Sequence, residues 1–218
     1  MSGRLLSLVQ ENRGFLFFLA MMFLFRGAIA DWNEVPTGSM QPNIVEGDRI
    51  WVDKLAYDLR IPLTHISLHR FSEPMRGDIV VFDSAASGKT MVKRVIGVPG
   101  DSVALDNNRL YLNGEAARYM LLEQQGERHL LLEQSVAGDY TIAINSVSPS
   151  PMNSFAELRV PEGHYLVMGD NRDNSADSRY YGLVPRDEII GRSEQVILSL
   201  DYDDYYLPRK ERWFFDLI

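Results

Sequence analysis

The stretch that decides the fold is MVKRVIGVPGD, residues 91–101. Valine and isoleucine dominate its first half and Pro99-Gly100 closes it with a turn, which predicts a strand. In a strand, Met91, Lys93 and Val95 share one face, so Lys93 has apolar neighbours on its own side. If that face is covered, burial lowers the pKa of the lysine amine and makes a neutral base available. A solvated lysine at a sheet edge is the alternative, and this stretch alone leaves both open.

Short apolar runs recur on both sides of this stretch, between turn residues. Strands are predicted over 48–52, 78–82, 90–97, 109–112, 140–144 and 164–168. The Gly, Asn and Pro residues that separate them favour antiparallel sheets, and the Ser-, Pro- and Asn-rich segment 145–154 predicts a loop. The predicted fold class is therefore mainly β.

Composition narrows the classes of function. The chain has 218 residues, 45% hydrophobic and 24% charged, which is typical of a folded chain of one to two domains. Its net charge of -8 argues against a nucleic-acid binder, because no basic excess neutralises phosphates. The absence of cysteine excludes disulfides, thiolate zinc sites, cysteine-held iron–sulfur clusters and a cysteine nucleophile. No metal and no other cofactor is predicted.

An apolar segment lies near the N-terminus. Residues 15–25, FLFFLAMMFLF, are followed by Arg26. As a helix, 14–30 measures about 26 Å, against a hydrocarbon core of about 30 Å, and Arg26 can reach the interface. With Arg4, Arg13 and Arg26 against Glu11, the first 30 residues carry a net charge of +2. Because the whole chain carries -8, the other 188 residues carry -10. The positive-inside rule then predicts a cytoplasmic stub at 1–13, one transmembrane helix at 14–30 as an anchor and an extracytoplasmic domain at 31–218.

The same segment also fits a cleavable secretory signal. A basic start, a short apolar run and Ala28-Ile29-Ala30 are the parts of such a signal. In both interpretations the main domain is exported, and a buried helix of a cytosolic protein is the weaker alternative.

Several common catalytic motifs are absent from the sequence. It contains no H-E-x-x-H, no G-x-S-x-G and no P-loop. The four histidines, His65, His69, His129 and His164, are scattered along the chain, and none is expected to be catalytic.

Two further segments carry polar groups in unusual density. In PTGSMQP, residues 36–42, two prolines frame a glycine and two hydroxyls, which predicts a rigid, extended loop and not a helix. The second, GDNRDNSADSRYYG at 169–182, follows an apolar strand. It fits either a loop held by its own side-chain bonds or a buried network, with Asp–Arg pairs, that supports a site.

Taken together, these segments resemble the bacterial type I (leader) signal peptidases, a family of membrane-anchored Ser/Lys endopeptidases. The resemblance rests on five segments in family order: 37–42, 47–50, 76–82, 93–101 and 169–175, the last continued by 177–179. It covers nearly the whole chain after the anchor.

The resemblance implies a role for each matching residue. Ser39 is the expected nucleophile, Lys93 its general base and Ser175 a hydrogen-bond partner that holds the lysine. The backbone N–H of Ser39 and the hydroxyl of Thr37 are the expected oxyanion donors. The pockets for small substrate residues at -1 and -3 are expected to be lined by Met40, Ile44, Met91 and Val92. The expected structural supports are Arg94, Asp170, Asp177 and Arg179.

The resemblance also implies the wider organisation. It predicts a catalytic core of antiparallel sheets with an inserted β-rich lobe at 106–163, for which a disordered insertion is the alternative. The implied activity is removal of signal peptides after an Ala-x-Ala-type site through an acyl-enzyme, with membrane-embedded precursors and the lipid bilayer as partners. The apolar tail at 213–218 either dips into the membrane interface or packs on the domain.

Three rival interpretations remain from the sequence. A self-cleaving Ser/Lys repressor of the SOS-response type is disfavoured by the apolar segment and the lack of a DNA-binding half. A specialised conjugation-type or organellar inner-membrane Ser/Lys peptidase is harder to separate. The third, from a different class, is an anchored β-rich binding or assembly module without catalysis.

Overall fold

A computed structural model describes residues 10–62, 64 and 66–217 of the chain. Most of the predicted stub at 1–13, including Arg4, therefore lies outside the described residues, as does His65.

Strands dominate the described part of the chain. The strands are β1 Ala30–Glu34, β2 Asp48–Asp53, β3 Asp58–Arg60, β4 Ser67–Arg70, β5 Ile79–Ser84, β6 Lys89–Gly97, β7 Ser102–Asp106, β8 Arg109–Leu112, β9 Glu115–Ala116, β10 Arg118–Gln125, β11 Arg128–Ser135, β12 Gly138–Asn145, β13 Phe155–Arg159, β14 His164–Met168, β15 Val184–Pro185, β16 Ile189–Asp201, β17 Leu207–Pro208 and β18 Phe215–Asp216. Within the described ranges they are accompanied by the α-helices α1 Arg13–Leu24 and α2 Ser178–Tyr181. The prediction of a mainly β chain with antiparallel sheets is confirmed.

The N-terminal apolar segment is helical but shorter than the predicted 14–30. Helix α1 ends at Leu24, a π-helical turn covers Phe25–Ile29, and Ala30 already pairs with Asp53 in the large sheet. Within the described ranges, no helix combines the length and apolarity needed to cross a membrane. The side chains of α1 from Arg13 to Phe23 are exposed, Phe15 by 61% and Phe17 by 68%.

The large sheet places the lysine strand in its interior, next to the central strand β5. Its strands run in the order β1-β2-β16-β5-β6-β14-β15, and β17 and β18 also pair with β16. Strand β5 pairs along β6, with Val80 opposite Lys93. On the other side, β14 pairs with β6 through Arg94, Val95 and Gly97. Lys93 therefore stands where pairing with β14 begins.

The long strand β16 was not predicted from the sequence. It has 13 residues and is the middle partner of both β2 and β5. Gly191, Arg192 and Ser193 interrupt its apolar run, so its alternation is hard to read.

Residues 102–159 form a separate pair of sheets, here called the β lobe. One sheet has the order β13-β7-β8-β9 and the other β10-β11-β12. Strands β10 and β11 were not predicted, because their polar connection around 123–129 carries no apolar alternation. The segment expected as an inserted lobe is thus built of strands that begin slightly earlier, at Ser102.

One buried ion pair joins the β lobe to the polar segment 169–182. Glu133 on β11 and Arg172 are both 0% exposed, and two N–H···O bonds of 2.7 Å connect them. The hydroxyls of Tyr119 and Tyr140 donate to the same carboxylate, each at 2.8 Å. Burial alone raises the pKa of Glu133, but the Arg172 charge and these bonds hold that pKa below its ordinary value. The carboxylate is therefore ionised and fully satisfied.

This pair generates a stability prediction. In Glu133→Gln the Arg172 guanidinium stays buried without a counter-charge, so the free energy of unfolding should fall by about 3–5 kcal/mol. Urea unfolding followed by circular dichroism measures the loss. Glu123→Gln, an exposed change on neighbouring β10, is the matched control and should stay within about 0.5 kcal/mol of the parent. Equal stability of the two variants would contradict the prediction.

Candidate active site

The nucleophile loop, residues 36–42, is held at both ends. Val35 N donates to Asp48 O at 2.9 Å, and Ile44 N donates to Met40 O at 3.0 Å. Met40 is 1% exposed, which pins the loop to the core. Ser39, in contrast, is only partly buried, so its hydroxyl stands at the surface of the core.

The prediction of a wholly extended loop is wrong for its centre. Gly38–Met40 form one 3-10 turn, closed by Gln41 N donating to Gly38 O at 3.1 Å. Thr37 and Gln41 on either side are extended, as predicted. The N–H groups at the start of such a turn have no partner within it. The amide of Ser39 lies in this position.

Lys93 reaches this turn from strand β6. Its Nζ lies 2.7 Å from Ser39 Oγ and 2.8 Å from the carbonyl oxygen of Val92. The side chain is 3% exposed. Burial lowers the pKa of Lys93 to about 8, although Asp177 and Asp170 nearby oppose the shift. The sequence alternative of a solvated edge lysine is therefore wrong, because the β6 face that carries Lys93 is covered.

Ser175 does not make the bond expected of it. It is 7% exposed, but its hydroxyl makes no hydrogen bond of ordinary geometry within the described part of the chain. The Ser175 side chain interacts with Asp177 and helps to lower the pKa of that carboxyl group. The Lys93 amine instead contacts the Ser39 hydroxyl and the carbonyl oxygen of Val92.

The two expected oxyanion donors lie in adjoining parts of the same loop. Ser39 N is at the open end of the turn, and Thr37 immediately precedes that turn. The Thr37 side chain is exposed, and its hydroxyl does not cap the turn. It is thus available to an incoming group.

The expected pocket residues divide between two sides of β6. Met40 and Ile44, 1% and 0% exposed, belong to one core cluster, and Val92 packs against it. Met91 packs against a different cluster and lines a cavity of about 230 Å³ with Asp177 and Tyr181 among its walls. Strand alternation explains the division, because neighbouring residues of β6 point to opposite faces. The structure brings three of the four together and separates Met91.

The four expected supports form two buried ion pairs. Arg94 donates to both carboxylate oxygens of Asp170, each at 2.8 Å. Arg179 binds both oxygens of Asp177 in the same way, at 2.8 Å each. Burial raises the pKa of Asp177, but Arg179 outweighs this effect and holds it below its ordinary value. Both sequence alternatives for 169–182 are present: Arg94 ties the segment into a buried network, and Asp177 holds it internally by accepting from the backbone N–H groups of Gly169 and Arg179.

The polar segment also packs against Ser39. Gly169 N donates to Asp177 at 2.9 Å. A Cβ at Gly169 would lie 2.4 Å from Ser39 O and 2.2 Å from Ser175 Oγ, so only glycine fits there.

Sequence reasoning missed two asparagines of this site. Asn43 donates its side-chain amide to Asp170 and to Thr141 O, each at 2.7 Å. Asn171 donates its backbone N–H to Ser39 O at 3.1 Å and its side-chain amide to Gly38 O at 2.9 Å. Asn171 stands in the segment that carried the resemblance, which was the signal available; Asn43 gave none.

Among the residues that the structure describes, no group of three or more His, Asp or Glu could hold a metal ion. His164 Nδ1 lies 3.0 Å from Glu162 O, and His69 stacks edge-on against Phe71.

A buried lysine 2.7 Å from a serine hydroxyl, beside an amide N–H that has no partner within its own turn, is an arrangement that can perform acyl transfer. A family model described as "Signal peptidase, peptidase S26" matches residues 9–198. The chain belongs to this family, and the resemblance seen in its sequence is confirmed.

Individual relatives agree with the family match. The chain is 33% identical over 208 residues to a signal peptidase I of Pseudomonas fluorescens, covering 88% of this chain and 73% of the relative. It is 32% identical over 222 residues to a signal peptidase I of Aquifex aeolicus, covering 85% and 82%. A solved signal peptidase I from Enterococcus faecalis aligns at 30% identity with a TM-score of 0.37, covering 56% of this chain and 97% of that one.

Proposed function

We propose that this chain is a serine endopeptidase that removes N-terminal signal peptides from exported precursors, cutting after an Ala-x-Ala-type site. Family membership and the name shared by its relatives support the reaction. The single observation that carries the mechanism is the 2.7 Å contact between Lys93 Nζ and Ser39 Oγ, made by a lysine that is 3% exposed.

The first half of the reaction uses Lys93 as a base. Its neutral amine accepts the proton of the Ser39 hydroxyl while Oγ attacks the carbonyl carbon of the scissile peptide bond. The carbonyl oxygen becomes an oxyanion, and the N–H of Ser39 and the Thr37 hydroxyl donate to it. Such a donor is worth about 2.7–4 kcal/mol in the transition state. The Lys93 ammonium then protonates the departing amine, which leaves an ester between Ser39 and the signal peptide.

The second half repeats the same roles with water. Neutral Lys93 takes a proton from a water molecule, whose oxygen attacks the ester. Collapse of the second oxyanion breaks the bond to Ser39 Oγ, and the ammonium returns the proton to that oxygen. The enzyme is restored, and no metal or other cofactor takes part in these steps.

Tight packing beside Ser39 favours small substrate residues. Met40 and Ile44 are almost fully buried, and Val92 packs against their cluster. We expect a pocket bordered by these side chains to be shallow, which suits alanine at -1 and -3. In this proposal Met91 does not border that pocket; it lines the separate cavity of about 230 Å³ beside Asp177 and Tyr181.

The proposal places the enzyme on the inner membrane, as a single-pass protein with its N-terminus cytoplasmic and its β domain periplasmic. The exposed phenylalanines of α1 and the exposed Trp213, Phe214 and Phe215 near the C-terminus support contact with the lipid bilayer. Leu217, by comparison, is 6% exposed and packs on the domain core. No nucleic acid is involved.

The dyad has a direct test. Ser39→Ala and Lys93→Ala should each reduce cleavage of a precursor ending its signal in Ala-x-Ala by at least about a thousandfold, with unchanged circular dichroism. The matched controls are Ser148→Ala and Lys89→Ala, both exposed, and should cleave at the parent rate. Parent-like cleavage by either dyad variant would exclude the dyad. Failure of the parent itself to cut after Ala-x-Ala would favour the conjugation-type peptidase or the non-catalytic module.

The pKa of Lys93 predicts the pH dependence. Only the neutral amine is active, and with a pKa of about 8 about a tenth of the lysine is neutral at pH 7. The ratio kcat/KM should therefore rise about tenfold per pH unit below pH 8 and level off above it. Measurement between pH 6 and 10 on a short peptide substrate tests this. A midpoint near the ordinary lysine value of 10.5 would mean that burial does not activate the base.

The apolar segment should be retained in the mature enzyme. Ala30, the residue before the possible self-cleavage site, is 2% exposed and paired with Asp53 in the sheet, which keeps the bond to Asp31 out of an active site. Intact mass of the membrane-extracted protein should give a main species that contains residues 14–30. A main species that begins at Asp31 would refute retention, and the Ser39→Ala variant in parallel separates self-cleavage from another protease.

A further inference from the structure

Asn171 holds the backbone on both sides of Ser39. Its side-chain amide donates to Gly38 O at 2.9 Å, and its own backbone N–H donates to Ser39 O at 3.1 Å. These two carbonyls belong to successive peptide units, one before and one after the Cα atom of Ser39. A single residue thus fixes both peptide planes that meet at the nucleophile.

The first of these bonds controls an oxyanion donor. The Gly38 carbonyl and the Ser39 N–H are opposite ends of one planar peptide unit. Holding the oxygen of that unit therefore fixes the direction in which the N–H points. A donor on the carbonyl also polarises the unit and strengthens its N–H as a donor.

Asn171 is itself immobilised from the β lobe. The preceding Asp170 accepts from Ala143 N through its backbone at 2.9 Å, and its carboxylate is bound by Arg94 and Asn43. The following Arg172 is locked to Glu133 by the fully buried ion pair. Both neighbours of Asn171 are therefore held in place. Its side-chain amide consequently has a fixed position from which to hold the nucleophile loop.

We propose that Asn171 is the positioning residue of the oxyanion hole, acting through the Gly38–Ser39 peptide unit. The inference rests on the proposed function and deepens it. Asn171 touches no reacting atom, and its bond to Gly38 O matters most when negative charge develops on the substrate oxygen. Its loss therefore lowers kcat and leaves substrate binding almost unchanged.

The experiment compares three variants with the parent on a peptide that contains the cleavage site. Asn171→Ala should lower kcat by about 10- to 100-fold, less than the about 100- to 1,000-fold of a deleted direct donor, with KM within about twofold. Asn171→Asp has the same shape but offers Gly38 O an acceptor, so its kcat should fall at least as far. Asn174→Ala, an exposed asparagine of the same segment, is the matched control and should keep the parent kcat.

A second measurement separates positioning from general loosening. A peptide aldehyde forms a tetrahedral adduct on Ser39 whose oxygen occupies the oxyanion position. Its inhibition constant should rise in Asn171→Ala by the same factor as kcat falls. Asn43→Ala, which removes other bonds to the same segment, should lower the melting temperature without this parallel change.

Three results would overturn the inference: parent-like kcat in Asn171→Ala or Asn171→Asp, a loss confined to KM, or unchanged aldehyde binding alongside reduced kcat. Failure of the proposed function is distinguishable, because it would show in the parent enzyme, or in a fully active Ser39→Ala, before any Asn171 variant is compared.

Discussion

The structure depends on burying one lysine without giving it a carboxylate partner. Asp170 and Asp177 both lie near enough to Lys93 to influence its pKa, and either could form an ion pair that keeps the amine protonated. Each is already bound by both oxygens to an arginine, Arg94 or Arg179. Within the described part of the chain, Lys93 forms no ion pair. Burial therefore prevails over the nearby negative charge, and the pKa of the lysine stays lowered.

This arrangement explains the density of charge in 169–182. A buried, unpaired carboxylate costs several kcal/mol, and breaking a buried pair costs about 3–5 kcal/mol. Two buried acids beside a base are therefore stable only if their own partners are buried with them. Arg94 comes from the lysine strand itself and Arg179 from helix α2, so the network ties the base, the polar segment and the core sheet together. The same constraint recurs at Glu133 and Arg172, where the β lobe joins.

The features of the fold and site that could be predicted are those that depend on local sequence. Alternation on β6 and its closing turn predict the strand and the face of Lys93. That this strand meets 36–42 and 169–182 was implied by the family resemblance and not by local pattern. Three features could not be predicted: the missing bond between Ser175 and Lys93, the separate side of Met91 and the Glu133–Arg172 pair. Each depends on which groups become neighbours after folding. Helix α1 was expected to be longer since its apolar run continues, yet pairing of Ala30 with Asp53 ends it. Tertiary pairing there overrides local hydropathy.

Strand β6 also links specificity to chemistry through its register. Val92 faces the cluster of Met40 and Ile44, and the next residue, Lys93, faces Ser39. Because side chains alternate with a period of two, a shift of one residue would exchange these faces and remove both the proposed base and the wall of the proposed pocket. Pairing with β5 at Val80 and with β14 at Met168 prevents that shift from either side. In the proposed mechanism, a substrate residue too large for the pocket beside Val92 would displace the strand that carries Lys93, so poor substrate fit would also reduce catalysis.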